Sequence, residues 1–143
     1  MELKQIGVIR SSFKTPKEAP RQGRQAGAEA TIEVFPEFAP GLKDIRCFKY
    51  LIVLYWGHLS RRDVLQTKTP HGPEIRGVFA CRSPSRPNPI AFCVAELLAV
   101  EGNRLRVRGM DAVDGSPLLD IKPYFLNLDG VFDGQNGCVD SRC

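Results

Sequence analysis

The alternation of hydrophobic and polar positions predicts a chain built from short β-strands. Residues 30–35 (A-T-I-E-V-F) and 104–109 (R-L-R-V-R-G) alternate with a period of two, which is typical of strands with one buried face. Residues 48–57 are apolar apart from Lys49 and rich in β-branched and aromatic side chains. We therefore expect this third segment to be a strand buried on both faces.

Weaker patterns complete the predicted elements, and turn residues separate them. Residues 13–28 read as a long loop, and Pro40 is placed to open a short helical turn over residues 40–44. Many short strands joined by Gly/Pro turns predict an all-β or β-rich barrel or sandwich. The remaining predicted strands are residues 3–11, 75–81, 90–101 and 118–123.

The hairpin predicted over residues 90–109 turns three arginines away from the core. Arg104, Arg106 and Arg108 occupy alternate positions of its second strand, so they recur about every 6–7 Å along one face. Such a row is able to follow a phosphate backbone. More often it is the solvated side of an edge strand, and both interpretations stay open at this point.

Composition and cysteine content restrict the class of protein. A chain of 143 residues with 43% hydrophobic and 25% charged residues fits one soluble domain. Without a membrane-length apolar run or a signal peptide, we expect a cytoplasmic protein with no membrane association. Cys47, Cys81 and Cys93 lie in or beside apolar stretches, which favours buried free thiols over a disulfide framework.

No metal site is predicted. His58 and His71 with Cys81 match no zinc spacing, and Cys138 with Cys143 forms no recognisable metal pattern. A histidine at the end of a strand is usually a hydrogen-bonded residue rather than a ligand.

Charge is unevenly distributed along the chain. The formal net charge is +4, but residues 61–108 hold nine basic and four acidic side chains, whereas residues 109–143 hold two and six. A basic middle segment suits a polyanionic partner, of which nucleic acid is the commonest. An ordinary charged surface explains the charge alone equally well.

The segment R-S-P-S-R-P-N-P at residues 82–89 is the strongest local signal. Three prolines in eight residues exclude a helix and disfavour a central strand. The result is a stiff, extended loop that presents Arg82, Arg86 and Asn88 with little conformational entropy left to lose. A binding site benefits from that order, because ordering costs are subtracted from affinity.

Three blocks in this order and spacing closely resemble the TsaA-like/TrmO family of tRNA methyltransferases. They are R-S-P-S-R-P-N-P-I at 82–90, D-A-V-D-G-S-P at 111–117 and L-D-I-K-P-Y at 119–124. The resemblance implies a single-domain β-barrel of short mixed strands over residues 1–128, unlike the doubly wound methyltransferases. It leaves residues 129–143 as a C-terminal tail, for which we expect mobility.

The resemblance also implies an activity. The family uses S-adenosylmethionine to methylate the exocyclic amine of a threonylcarbamoyl-modified adenosine beside the tRNA anticodon, and it works as a homodimer with the cofactor near the subunit interface. Carried over position by position, the implied cofactor contacts are Pro20, Arg21, Gln22, His58, Leu59, Arg82, Phe92, Asp120, Ile121, Lys122 and Pro123.

Two positions depart from the family pattern. Leu59 stands where relatives often have glutamine, and Ala91-Phe92 replaces the common glycine followed by leucine or methionine. Both changes keep the implied pocket apolar but alter its shape.

Chemistry assigns roles to some of these side chains. The planar guanidinium of Arg82 or Arg21 suits the cofactor carboxylate, Asp120 suits its ammonium group, and Phe92 offers an apolar surface to the base. No catalytic acid or base is assigned, because the proton of the attacking amine is able to leave after methyl transfer.

The candidates for holding the nucleotide are Arg86 for a phosphate, Asn88 for a base edge and Tyr124 for stacking. Structural roles remain open for two of them, since Asn88 is able to cap its own turn and Tyr124 to lie in the core. Longer relatives append a small C-terminal domain that helps to hold tRNA, and from the resemblance we expect this chain to act without one. Two alternatives therefore stay open: a non-catalytic module that binds S-adenosylmethionine or RNA, and a methyltransferase for another small acceptor.

Overall fold

Six strands close a barrel, and two more form a separate ribbon. The computed structural model describes residues 1–19, 27–70 and 72–132. The barrel order is β1-β2-β7-β6-β3-β8, while β4 and β5 pair only with each other. The strands are β1 Gly7–Arg10, β2 Glu29–Val34, β3 Tyr50–Trp56, β4 Gln66–Lys68, β5 Ile75–Gly77, β6 Ile90–Glu101, β7 Arg104–Arg108 and β8 Ser116–Pro123.

The predicted barrel is confirmed, with one refinement: among the described strands each pairing is antiparallel rather than mixed. The strand predicted over residues 90–101 is also confirmed, as β6. The β6–β7 hairpin forms as the alternation predicts, with Leu105 and Val107 completely buried. The other large side chains that fill the barrel include Ile9, Ile32, Leu51, Val53, Met110 and Leu118.

Two expectations about strand environment are wrong. β3 is buried on one face only, since Leu51, Val53 and Tyr55 are buried while the residues between them are partly exposed. A barrel wall has one interior, so an apolar strand in it still shows its other face to the outside. β7 is not an edge strand, because closure gives it β2 and β6 as neighbours.

Short helices connect the strands. Three 3₁₀ helices cover Pro36–Leu42, Ile45–Cys47 and Val78–Ala80, and a four-residue α1 covers Leu126–Asp129. Pro40 lies inside the first of these helices rather than opening it. In the described part of the chain, no helix has the length and apolar character needed to cross a membrane.

Of the three thiols predicted to be buried, Cys93 is buried, Cys81 is partly buried and Cys47 is exposed. Cys93 is buried and its thiol donates to the carbonyl oxygen of Gly109 at 3.2 Å, but Cys47 is exposed at the end of a 3₁₀ helix. The local apolar neighbours of Cys47 pack against the core while its own side chain points out. Cys138 and Cys143 lie outside the described residues.

Gly7 shows how closely the barrel strands approach each other. A Cβ at this position would lie 2.2 Å from the carbonyl oxygen of Glu33 on β2. Any other residue would push β1 away from β2, so glycine is required for barrel closure here.

Candidate functional site

The outer surface of β6, β3 and β8 brings separate site residues together. Leu54 on β3 lies opposite Phe92 on β6 and opposite Asp120 on β8. Directly opposed residues face the same side of a sheet, and Leu54 alternates with buried neighbours. Phe92, Leu54 and Asp120 therefore form a row across the outside of the barrel, about 10 Å from end to end. We call it the site row.

A β-bulge turns Asp120 outward. The pairing of β3 with β8 shifts between Leu54 and Tyr55, so that Tyr55 opposes Leu118 while Leu54 opposes Asp120. Leu119 is the extra residue. With regular pairing, Asp120 would share the inward phase of the buried Leu118, where an unpaired carboxylate is costly. The bulge instead places it at the surface, which is a common use of bulges beside functional sites.

The Asp120 carboxylate is hydrogen-bonded and ion-paired, but its side chain remains partly exposed. One oxygen accepts the backbone N–H of Ile121 at 2.9 Å, and the other lies 3.0 Å from Nζ of Lys122. Its side chain stays 46% exposed. Because an exposed ion pair is weak, a ligand cation is able to compete with Lys122 for this carboxylate.

Arg82 covers the opposite end of the site row. Its guanidinium carbon lies 6.0 Å from the centroid of the Phe92 ring, within the range of a cation–π contact. Arg82 is exposed, and among residues 1–19, 27–70 and 72–132 no carboxylate forms an ion pair with it. The row thus has a cation at one end, an anion at the other and apolar side chains between them.

The proline-rich loop is tied down by its own arginine. Arg86 donates from Nη1 to the carbonyl oxygens of Cys81 at 3.2 Å and Ser83 at 3.1 Å. Its backbone N–H donates to the carbonyl of Arg61 at 3.0 Å. Arg86 therefore has a structural role that the sequence analysis did not assign, and it helps to fix the segment that carries Arg82.

Arg62 is a second residue that fixes the proline-rich loop, and the sequence patterns did not identify it. Arg62 lies over the Trp56 ring at 5.1 Å and donates from Nε to the carbonyl of Pro87 at 2.8 Å. Its Nη2 approaches Oδ1 of the exposed Asn88 at 3.5 Å. The available signal was the single tryptophan of the chain, which stands at the end of an apolar strand.

His58 lies where the proline-rich loop and the 111–117 turn meet. The N–H of Gly57 donates to the carbonyl of Pro89 at 2.8 Å. Gly115 has a φ of 83°, and a Cβ there would lie 3.9 Å from Nε2 of His58. The neighbouring Leu59 is exposed. The proline-rich loop and the 111–117 turn therefore each come close to the chain at the end of β3.

A buried polar pair supports the 111–117 turn. Tyr55, whose side chain points into the barrel, donates from its hydroxyl to a carboxylate oxygen of Asp111. Burial raises the pKa of Tyr55, and the negative charge of Asp111 raises it further. Burial also raises the pKa of Asp111, although the hydrogen bond from Tyr55 opposes this change. The pair lies behind the site row and anchors the first residue of the turn.

The other acid of the turn is bound at the surface. Asp114 accepts the backbone N–H of Ser11 and an N–H of Lys14, both at 3.0 Å. The Lys14 hydrogen bond lowers the pKa of Asp114, with a further contribution from Ser11. These contacts tie the segment after β1 to the turn.

Not every predicted site side chain reaches the site row. Ile121 and Pro123 oppose the inward-facing Val53 and Leu51, so their side chains point toward the barrel interior. Tyr124 is half-buried, and its backbone N–H donates to Tyr50 at 3.1 Å. Three further predicted contacts lie outside the described residues: Pro20, Arg21 and Gln22.

The arginine row on β7 is paired with carboxylates. Arg108 lies 3.3 Å from Glu96 and 3.6 Å from Glu29. Arg106 lies 3.9 Å from Glu29, and Arg104 lies 3.9 Å from Glu33. This row is solvent-facing, as expected, but its charge is balanced by neighbouring strands.

Comparisons with known proteins show the family to which the chain belongs. The family model of the tRNA-methyltransferase O N-terminal domain matches residues 8–130. An S-adenosyl-L-methionine-binding protein of Archaeoglobus fulgidus is 53% identical over 137 residues, which cover 94% of this chain and 99% of that protein. A probable S-adenosyl-L-methionine-binding protein of the same organism is 50% identical, covering 96% of this chain.

Solved structures agree as well. The crystal structure of TrmO from Pseudomonas aeruginosa matches with a TM-score of 0.80 and 34% identity, covering 99% of this chain. The chain spans 63% of that structure and 37% of the second Archaeoglobus protein. The family model covers most of the chain, and so the chain belongs to the family of the tRNA-methyltransferase O N-terminal domain.

Proposed function

We propose that this protein is an S-adenosylmethionine-dependent methyltransferase that binds its cofactor on the outer face of β6, β3 and β8. The observation that carries the proposal is the site row. Its register places Phe92 and Asp120 on either side of Leu54, and Arg82 lies over the Phe92 ring. Relatives named as S-adenosyl-L-methionine-binding proteins support the choice of cofactor.

The residues present fit the chemistry of this cofactor. S-adenosylmethionine carries an ammonium group, a carboxylate, an adenosine and a sulfonium, and it has no phosphate. The half-exposed carboxylate of Asp120 suits the ammonium group, and a planar guanidinium such as that of Arg82 suits the carboxylate. Phe92 and Leu54 offer apolar surface to the adenine.

The protein's contribution to catalysis is alignment. When bound, S-adenosylmethionine supplies an electrophilic methyl group on sulfur. Alignment of two reactants contributes on the order of 7–11 kcal/mol in well-oriented reactions. Arg86 and Arg62 keep the 82–89 loop in place, and so they are positioning residues for Arg82.

The proposed acceptor is the exocyclic amine of a threonylcarbamoyl-modified adenosine next to the anticodon of a tRNA, in the cytoplasm. The family description supports a tRNA substrate. Asn88 is exposed beside the site row and is able to hydrogen-bond a base edge. Tyr124 and Arg86 remain candidates for holding the nucleotide, Tyr124 through its half-buried ring.

We further propose that two copies of the chain pair over the cofactor face. Ile90 and Phe92 are 44% and 51% exposed on β6. Apolar side chains exposed next to one another favour a protein contact. A second copy laid on this face would exclude water from the site row and close the cofactor in.

A nucleoside assay tests the function. The protein is incubated with S-adenosylmethionine and with tRNA that carries the threonylcarbamoyl adenosine but lacks its methyl group. Mass spectrometry of the digested nucleosides is expected to show a mass gain of one methyl group on that adenosine. Methylation of a different nucleoside would contradict the proposed acceptor.

The name of one relative supports a second candidate function. The Archaeoglobus protein that this chain covers almost completely is named only for binding S-adenosyl-L-methionine. A non-catalytic binding module predicts cofactor binding with no methylated nucleoside in the same assay, and the assay therefore separates the two functions.

A further inference from the structure

The segment between His58 and the proline-rich loop forms an arm whose two ends both lie at the site. We define the arm as residues 60–86, which contain the β4–β5 ribbon. Within the described part of the chain, the ribbon strands pair with each other and with no barrel strand. The arm begins two residues after His58 and includes Arg82, which lies over the Phe92 ring. A chain bound across the arm would therefore also reach the site row.

The arm contains the charge excess of the protein. Its sequence holds six basic and two acidic side chains, a net charge of +4 that equals the net charge of the whole chain. Both acids pair within the arm, Asp63 with Arg61 at 2.9 Å and Glu74 with Arg76 at 3.6 Å. Among the described residues Lys68 forms no ion pair.

The arm also exposes an aromatic ring to solvent. Phe79 is 80% exposed, whereas its neighbour Val78 is completely buried. The N–H of Val78 donates to the carbonyl of Leu65 at 3.0 Å. The buried valine and this hydrogen bond fix the backbone, so Phe79 is presented to solvent from an anchored position rather than from a loose loop.

One face of the ribbon, which ends two residues before Phe79 in the chain, is open to solvent. Lys68 opposes Ile75 and Gln66 opposes Gly77, so these residues share a face, and all four are exposed. A Cβ at Gly77 would meet no atom within 4 Å. A base or sugar is thus able to approach the backbone here without a clash.

We propose that the arm is the docking surface for single-stranded RNA next to the acceptor nucleotide, with Phe79 stacking on a base and Lys68 contacting a phosphate. This inference rests on the proposed function. A cationic groove with exposed aromatic rings is the usual way in which proteins bind a single strand without reading its sequence. Net positive charge also disfavours a second arm as the occupant, because two such arms repel, while a polyanion is attracted.

The test compares matched variants for two separate properties. Phe79→Ala and Lys68→Gln change the arm. Leu128→Ala and Arg106→Gln make similar changes elsewhere, at an exposed residue of α1 and at an ion-paired residue of β7. tRNA binding is measured by fluorescence anisotropy over a range of salt concentrations, and binding of S-adenosylmethionine by calorimetry.

We expect Phe79→Ala to weaken tRNA binding by about tenfold, which is within the range for loss of one stacked base. Lys68→Gln is expected to reduce the slope of log affinity against log salt by about one. Both variants keep the wild-type affinity for S-adenosylmethionine, and both control variants bind tRNA as the wild type does.

Three results would overturn the inference. Wild-type tRNA affinity in both arm variants, with cofactor binding intact, removes the arm from RNA binding and leaves the proposed function standing. Dissociation of a dimer by Phe79→Ala in sedimentation assigns Phe79 to a second copy instead. A wild-type protein that binds no S-adenosylmethionine overturns the proposed function itself, and this inference with it.

Discussion

The two sides of the barrel wall use charge in different ways. On β7 the outward arginines lie within 4 Å of glutamates: Arg108 lies directly opposite Glu29 on β2, and Arg106 lies diagonally from it. On β6, β3 and β8 the outward positions are mainly apolar, and Asp120 is set at the end of the site row. One side balances its charges within the sheet. The other side places Arg82, which forms no ion pair among the described residues, and Asp120, whose exposed ion pair is with Lys122, at the two ends of an apolar strip.

This difference shows that the pairing register of the strands decides whether an outward arginine is paired with a neighbouring carboxylate or is open to a ligand. Three arginines at alternate positions suggest a phosphate-binding row when the strand is considered alone. Once the neighbouring strands are known, each of the three has a carboxylate within 4 Å. Cross-strand pairs of opposite charge stabilise the sheet. Arg82, which lies over the Phe92 ring and pairs with no carboxylate among the described residues, remains open to a ligand.

The largest expected effect follows from removing one carboxylate from each side. Asp120→Ala is expected to weaken binding of S-adenosylmethionine by about 10- to 100-fold, since a hydrogen bond to a charged group contributes about 1.5–3 kcal/mol. Glu29→Ala, on the side where charges are paired, is expected to change the affinity by less than about twofold. Calorimetric titration of both variants measures this.

The cofactor affinities of the two variants also test the difference between the two sides of the barrel. If Glu29→Ala weakened cofactor binding as much as Asp120→Ala, the distinction between the two sides would be lost. Thermal unfolding of each variant serves as the control, because loss of the fold would lower affinity without any role in binding.

A smaller effect separates the two acids of the 111–117 turn, Asp111, which is paired with a buried tyrosine, and Asp114, which is paired with an exposed lysine. The pKa of Asp111 is raised by burial, so the folded protein keeps its proton longer than the unfolded chain does. Compared with Asp111→Asn, the wild type is therefore expected to lose stability as the pH rises above the ordinary carboxyl pKa of about 3.9. Asparagine keeps an acceptor for the Tyr55 hydroxyl.

The pH dependence of stability expected from Asp114 has the opposite sign. Its pKa is lowered by the Lys14 hydrogen bond, so its stabilisation is present above the ordinary carboxyl pKa and is lost as the pH falls through the lowered value. Urea unfolding of the wild type, Asp111→Asn and Asp114→Asn between about pH 3 and pH 7 measures both. Parallel profiles for the two variants would contradict the assigned environments.

The fold could be predicted from alternation because each strand has one buried face. Ile32 and Leu105, for example, occupy alternating positions and lie directly opposite each other in the core. The prediction that β3 is buried on both faces was wrong for a related reason. Its outward residues, such as Leu54, are apolar, and the sequence alone does not distinguish them from core residues. Apolar content in a strand does not distinguish burial from a ligand-binding or protein-binding face.

The site was predicted less completely, and the reason is physical. The bulge at Leu119 changes which face Asp120 occupies, and a one-residue shift of this kind leaves no reliable mark in the sequence. The contacts of Arg62 with Trp56 and Pro87 join positions brought together only by the fold. Motif resemblance proposed Arg82 and Asp120 as cofactor contacts, and pairing through Leu54 shows that Asp120 shares a face with Phe92.

The most direct test of the central claim is a crystal structure of the protein with S-adenosylmethionine bound. The account predicts the cofactor on the outer face of β6, β3 and β8, with its ammonium group within hydrogen-bonding distance of Asp120 and its adenine against Phe92. Cofactor bound on the side formed by β1, β2 and β7, or inside the barrel, would contradict it.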